Sequence, residues 1–362
     1  MRAARLHAPN TPLQIDEIPC PDPGLDEVVV KVRACGVVPN MLNILQGGNW
    51  RTLPPLPAVM GLDAAGEVAK LGPRVTTFKE GDPVYVNPVL SCGECSYCRS
   101  NGSPLYCEKG AFQGYFGFRP ASTETLSRYP HAGFAEYTLA PVRNLVKLSS
   151  AVSFDGAARF GYLGTAYAGL QAGHAKAGGT VAILGATGTL GISTILFALA
   201  MGVARIIPVA RNAERLERLR QLAPNRIKPI ALDGAQLADR LRAATNGLGP
   251  ELVIDCLAST ATPEITSQAI SGLMRGGTVV NIGALSQPLQ IAPMQFMSTG
   301  LTYRGSTWFS TAQGEEMVAL ADAGLVDYDI FEHRAFALED VNKALALVAE
   351  NPGGFVNIVI HP

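Results

Sequence analysis

The 362-residue chain exceeds the size at which a single hydrophobic core stops growing, so two domains are expected. With 48% hydrophobic residues, 16% charged residues and a formal net charge of -1, it has an ordinary globular composition and no basic field for nucleic acid. Its longest apolar stretches, such as 191–204, fall short of the roughly 20 residues that span a bilayer, and no apolar segment follows the two N-terminal arginines. A cytoplasmic protein with a small-molecule substrate, and with neither membrane nor nucleic acid as partner, is the expectation.

Residues 1 to about 150 read as short β-rich segments, at 27–32, 66–70, 82–86 and 135–139, separated by Gly and Pro. Within them Cys92, Cys95, Cys98 and Cys107 spell C-x2-C-x2-C-x8-C. Two-residue gaps turn successive thiolates inward on one small loop, and four thiolates complete the closed tetrahedral shell of a structural Zn²⁺, which leaves no position for substrate. Disulfides and unrelated thiols are the alternatives, but short-gap thiols pair poorly with one another; iron-sulfur runs have different gaps. The stretch 112–130, rich in Gly, Ser, Thr and aromatics without a period, reads as an ordered loop or insertion near this lobe.

From Gly179 the pattern changes to strand, glycine-rich turn, long apolar helix, then a second strand at 205–209 and a charged helix at 213–222. Further strands at 251–255 and 278–282 continue a parallel sheet covered by helices on both faces. The turn itself, Gly185-Ala186-Thr187-Gly188-Thr189-Leu190-Gly191, lets backbone approach a pyrophosphate at a helix N-terminus. The tip of the second strand, Val209-Ala210-Arg211-Asn212, carries no carboxylate for a ribose 2′-hydroxyl. Arg211, with Arg215 one helical turn later, suits a 2′-phosphate and so NADP(H); as the alternative, Arg211 is a solvated surface charge. After 297 the pattern is mixed, with a helix at 338–350 and a last strand at 355–360 that can rejoin the first domain and close a cleft.

Together with Gly61-x-Asp63-Ala64-Ala65-Gly66-Glu67-Val68, Gly81-Asp82-x-Val84, Asn87-Pro88-Val89-Leu90-Ser91-Cys92 and Gly133-Phe134-Ala135-Glu136-Tyr137, these residues resemble the medium-chain dehydrogenase/reductase superfamily of zinc alcohol dehydrogenases and quinone reductases over nearly the whole chain. The resemblance implies an α/β fold: a GroES-like β-rich catalytic domain (1–150 and 296–362, zinc lobe about 88–110) and a doubly wound Rossmann NADP-binding domain (151–295). It implies an active site in the cleft between them, and pairing of sheet edges into a homodimer or a tetramer. Zinc members hold a second, catalytic zinc at positions that here read Val38, Leu62 and Gly161, none with a donor side chain. His7, His131, His174, His333 and His361 offer no paired spacing to replace them, and Cys35 reads as a small buried thiol.

Without that Lewis acid, hydride transfer to a simple ketone loses several kcal/mol of alkoxide stabilisation. A conjugated carbonyl or quinone eases the problem, because charge delocalises onto a distant oxygen within reach of ordinary donors. The segments around Cys35-Gly36-Val37-Val38 and Gly61-Leu62-Asp63 resemble the zinc-free quinone reductase branch, although Val38, Met41 and Asn43 stand where that branch has polar side chains.

By resemblance, Asn40 takes the place of the proton-relay Ser or Thr, as a donor to substrate oxygen or as a loop residue satisfying backbone. Asp63 takes the place of the Glu behind the metal, ordering the site or capping backbone groups. Tyr162 is the candidate phenolic donor or a packed aromatic, Thr165 faces the cofactor, and Gly283 and Ala284 meet its carboxamide through backbone. Trp50 and the loop 115–131 are the candidate pocket walls. Two other functions stay open: a carbonyl reductase or alcohol dehydrogenase that polarises substrate through side chains, and a non-catalytic NADPH-binding protein.

Overall fold

The computed structural model describes residues 1–47, 51–100, 104–234, 236–350 and 353–362. Trp50, expected near the substrate, lies outside the described residues.

The strand Glu27–Gly36 is the spine of the first half. Its valine-rich alternation buries one run of residues, and two register shifts against Asp63–Leu71 bend it around the core. It belongs to a seven-stranded sheet in the order Leu145–Lys147, Pro83–Val86, Asp63–Leu71, Glu27–Gly36, Val356–His361, Glu332–Ala337, with Tyr137–Pro141 also paired to the spine. The last two strands come from the end of the chain, where Val359 lies opposite Gly36. Gly36 ends the spine against the start of the second half; a Cβ there would stand 2.0 Å from the Ala158 carbonyl oxygen.

The second half is a six-stranded parallel sheet in the order Ile230–Ala231, Arg205–Ala210, Thr180–Leu184, Leu252–Asp255, Thr278–Asn281, Thr302–Gly305. Its central strands are almost wholly buried, as expected of parallel strands covered on both faces. The sheet thus reaches beyond residue 295, its sixth strand following the helix Pro293–Thr299. The apolar stretch expected at 191–204 forms the helix Thr189–Ala200, buried from Gly191 to Ala198. Among the described residues no helix is long and apolar enough to cross a membrane.

The stretch 112–130 is more regular than its composition suggests. Ala111–Phe112 and Phe116–Gly117 join Val89–Leu90 in a small sheet leading to the cysteines, and Ser122–Arg128 is helical. That helix buries only Ser122, Thr125 and Leu126, too short a face to leave a sequence period. Ser122 is fixed by donating to the Gly110 carbonyl at 2.6 Å, in a space open because Gly117 has no Cβ.

Candidate active site

The glycine-rich turn has the shape its spacing predicts. Gly185 has φ +68°, a region that excludes most side chains, and a Cβ on Gly191 would come within 2.5 Å of Ala186, so the helix packs directly on the turn. Gly188 is the N-cap of Thr189–Ala200, and the first amides of that helix have no intrahelical partner. Gly354 lies over this turn with no room for a side chain, since its Cβ would stand 2.5 Å from the Gly188 carbonyl carbon. Glycine backbone therefore lies close about the helix N-terminus, a cradle that fits a dinucleotide pyrophosphate.

At the neighbouring strand tip Arg211 is exposed and forms no ion pair among the described residues. Asn212 is explained locally: it caps the helix Ala213–Leu222, its side chain accepting from the Arg215 amide at 2.8 Å. Thr187 and Arg215 line one small recess beside Gly353 and Gly354. No sequence pattern marks Arg159. It is buried, donates to the carbonyls of Gly354 and Val356 and to Asn357, and lies over the Phe331 ring, so it holds the C-terminal segment over the turn. Burial lowers its pKa to about 10.

A cleft of ≈ 690 Å³ lies between the two sheets, lined by Asn40, Asp63, Tyr162, Thr165, Leu190, Gly283 and Ala284 among others. The structure thus brings the three expected catalytic residues together with Thr165, Leu190, Gly283 and Ala284. Thr189 and Tyr162 border a second recess of ≈ 380 Å³. Val38 and Leu62 are buried apolar side chains at 5% and 4% exposure. A Cβ on Gly161 would stand 2.5 Å from Asp63 Oδ2 and 2.5 Å from the Trp308 ring, so carboxyl and indole occupy the space a side chain there would need. Cys35 is packed under Gly133 and does not line the cleft.

Asp63 is fully buried. Its Oδ1 accepts from the Tyr85 hydroxyl at 2.6 Å, while Oδ2 has no well-formed hydrogen bond. Burial lifts its carboxyl from the ordinary 3.8 to about 7, against the opposing pull of the Tyr85 hydroxyl, the Gly161 amide and the Arg159 charge. Burial also raises the Tyr162 phenol, so it is a neutral hydroxyl at ordinary pH. Asn40 is exposed at the cleft, and its side-chain oxygen accepts from Asn43 at 2.8 Å. Burial raises the phenol of nearby Tyr115.

Two expectations need refinement. The Gly283 amide donates to the Asp255 carbonyl at 2.8 Å and the Ala284 amide to the Leu257 carbonyl at 2.8 Å, so only their carbonyl oxygens remain for a ligand. Thr165 donates to the Gly161 carbonyl at 2.7 Å, which leaves its oxygen as an acceptor toward the cleft.

Sequence reasoning missed Trp308. It has φ +61°, unusual for a bulky residue, and its Nε1 donates to Asn87 Oδ1 at 3.1 Å. Asn87 is buried, and its own amide donates to the Phe309 carbonyl at 3.2 Å, so one side chain clamps both residues. No local signal marks this contact, which joins positions 221 residues apart.

The four cysteines gather as their spacing predicts. Their Sγ atoms all lie within 4.8 Å of one another, with Cys95 to Cys98 and Cys107 to Cys92 at 3.5 Å and Cys92 to Cys98 at 4.0 Å. A tetrahedral Zn²⁺ with bonds of about 2.3 Å sets sulfurs roughly 3.8 Å apart, so the donor set fits the metal. The amides of Cys92, Glu94 and Cys95 point at sulfur, at 3.3, 3.5 and 3.4 Å, as donors that stabilise thiolates. None of the four lines the cleft.

Comparison with known proteins agrees with this architecture. Residues 24–150 match the alcohol dehydrogenase GroES-like domain and residues 189–323 the zinc-binding dehydrogenase family. An alcohol dehydrogenase of Geobacillus stearothermophilus is 30% identical over 328 residues, 90% of this chain and 90% of that protein. Among solved structures, AibC superposes with TM-score 0.85 at 28% identity, covering 100% of this chain and 96% of that one. A Sinorhizobium meliloti 1021 protein solved with NADP bound shares the fold at TM-score 0.83 and 24% identity, over 100% and 99% of the two chains. The chain belongs to the zinc-binding, alcohol dehydrogenase-like oxidoreductases of the medium-chain dehydrogenase/reductase superfamily.

Proposed function

We propose that this protein is an NADP(H)-dependent oxidoreductase that works without a catalytic zinc and reduces a conjugated carbonyl compound. The observation that carries this reading is the packing of Asp63 and Trp308 into the space beside Gly161, flanked by apolar Val38 and Leu62. One carboxylate and no thiolate or imidazole is a poor donor set for Zn²⁺. NADP(H) is favoured by Arg211 and by the absence of a carboxylate at the strand tip.

When bound, the reduced nicotinamide supplies a hydride to the β-carbon of the conjugated system. Thr165 and the carbonyls of Gly283 and Ala284 form the cofactor-side wall that orients it. Negative charge develops on the carbonyl oxygen, where Tyr162 donates a hydrogen bond and then a proton that solvent replaces. Asp63 holds a proton near neutral pH and keeps the floor of the site from carrying a full negative charge. The enol so formed takes a proton from solvent at its α-carbon and releases the one on oxygen, which gives the saturated carbonyl compound.

The test combines NADPH oxidation assays with elemental analysis. Steady turnover of enones, none of saturated ketones, and one zinc per chain support the proposal. Equal turnover of a saturated ketone replaces it with an alcohol/ketone reading, and tight NADPH binding without turnover on any carbonyl replaces it with a binding protein. A second zinc per chain overturns the metal-free site.

A further inference from the structure

Four aromatic rings along the cleft form one contiguous cluster. Trp308, beside Gly161, lies 4.7 Å from Phe112 between ring centroids, and Phe112 lies 5.1 Å from Phe118 and 5.4 Å from Phe116. Phe116 and Phe118 are 5.4 Å apart. At the outer end the Arg51 guanidinium sits 3.6 Å from the Phe116 centroid. All of these residues border the cleft. The rings are held, not loosely exposed: Trp308 is tied to Asn87, and Phe112 and Phe116 are fixed by antiparallel pairing of their short strands.

The rest of the lining includes Gly161 and Thr165, Leu190, and the run 281–286 with Ile282 and Leu285. A cleft lined by a continuous cluster of rings favours a flat ligand that can pack against them. Offset-stacked and edge-on ring pairs stabilise beyond their buried area, an advantage a puckered hydrocarbon of equal size does not gain.

We infer that the substrate carries an aromatic ring conjugated to its carbonyl, with the ring seated against Trp308, Phe112, Phe116 and Phe118 and the carbonyl directed to Tyr162. This rests on the reading of the cleft as a conjugated-carbonyl site and deepens it by naming the substrate class. Tyr115 is the phenol within this ring cluster, buried and 4.7 Å from Phe116 between centroids.

Calorimetric binding to the protein saturated with NADP⁺ tests the class without relying on turnover. Benzylideneacetone is compared with its cyclohexyl analogue, which matches it in size and hydrophobicity but is not flat. A Kd roughly 10-fold lower for the phenyl compound is expected, one or two ring contacts' worth of preference. Phe118→Leu, which keeps apolar bulk, is expected to shrink that ratio to within about 3-fold while leaving NADPH affinity unchanged. Equal Kd values for the two ligands, or a preference untouched by Phe118→Leu and Phe116→Leu, overturn the inference. NADPH oxidation with both ligands is scored separately: turnover of both at equal Kd rejects the aromatic class and keeps the proposed function, whereas selective binding without turnover keeps the aromatic site and rejects that function.

Discussion

Gly161 and Asp63 share one space: a Cβ on the glycine would fall 2.5 Å from Oδ2 and 2.6 Å from Oδ1 of the carboxyl. Gly161→Ala is therefore expected to displace either Asp63 or the Trp308 ring, which stands equally close. A loss of thermal stability of several degrees and of most activity should follow, since overpacking a buried site destabilises by about 1–3 kcal/mol. Trp308→Ala in the same chain is expected to recover part of the stability, measured by thermal unfolding. If Gly161→Ala alone unfolds like the parent, the space is not shared as described.

Asp63 makes stability depend on pH in a defined direction. Its carboxyl rises from 3.8 to about 7 on folding, so the folded state binds the proton more tightly. Its contribution is complete below about pH 4 and is lost progressively as pH rises toward 7, by up to about 4 kcal/mol. Asp63→Asn, which still accepts from Tyr85, is expected to flatten this part of the stability curve. The gap between variant and parent should widen in the variant's favour from pH 4 to pH 7; a constant gap in denaturant midpoints would show that Asp63 is charged when folded.

Tyr162 is half-buried in the cleft wall and makes no side-chain hydrogen bond among the described residues. As donor to substrate oxygen, its replacement by Phe should lower kcat roughly 100-fold with KM within about 3-fold, the pattern of an interaction made in the transition state. An unchanged kcat would leave Tyr162 as packing only.

Arg211 is exposed beside the nucleotide turn. Removing a charged donor from a phosphate costs about 1.5–3 kcal/mol, so Arg211→Ala is expected to weaken NADPH binding roughly 10- to 100-fold and NADH binding little. Titration of intrinsic nicotinamide fluorescence reads both affinities. A parent that prefers NADH, or a variant that keeps its preference for NADPH, removes Arg211 from the specificity argument.

The cysteine lobe should carry zinc independently of the cleft. Cys98→Ser is expected to reduce zinc from one per chain to near none and to open the 92–107 loop to protease, because the closed shell needs all four thiolates. NADPH affinity should stay within about 3-fold, since no cysteine of the lobe lines the cleft. A full zinc complement in Cys98→Ser would place the metal elsewhere.

Much of the scaffold was legible because it is written in local patterns. The cysteine spacing, the glycine turn after an apolar strand, and the runs near 205–209, 251–255 and 278–282 each report backbone geometry that neighbours in sequence determine. The helix Ser122–Arg128 escaped because three buried residues make too short a period, and the capping bond of Asn212 was not anticipated.

By resemblance, Val38, Leu62 and Gly161 stand where zinc members hold a second metal, and that they carry no donor side chain was legible because ligand chemistry depends on side-chain identity. What occupies that space was decided by tertiary structure. Asn87 clamping Trp308, Arg159 reaching Gly354, and Phe112 meeting Trp308 join positions roughly two hundred residues apart, and burial of Asp63 comes from the same closure. Such contacts leave no periodic trace, since their energies arise from desolvation and ring packing between distant segments that only the folded chain brings together.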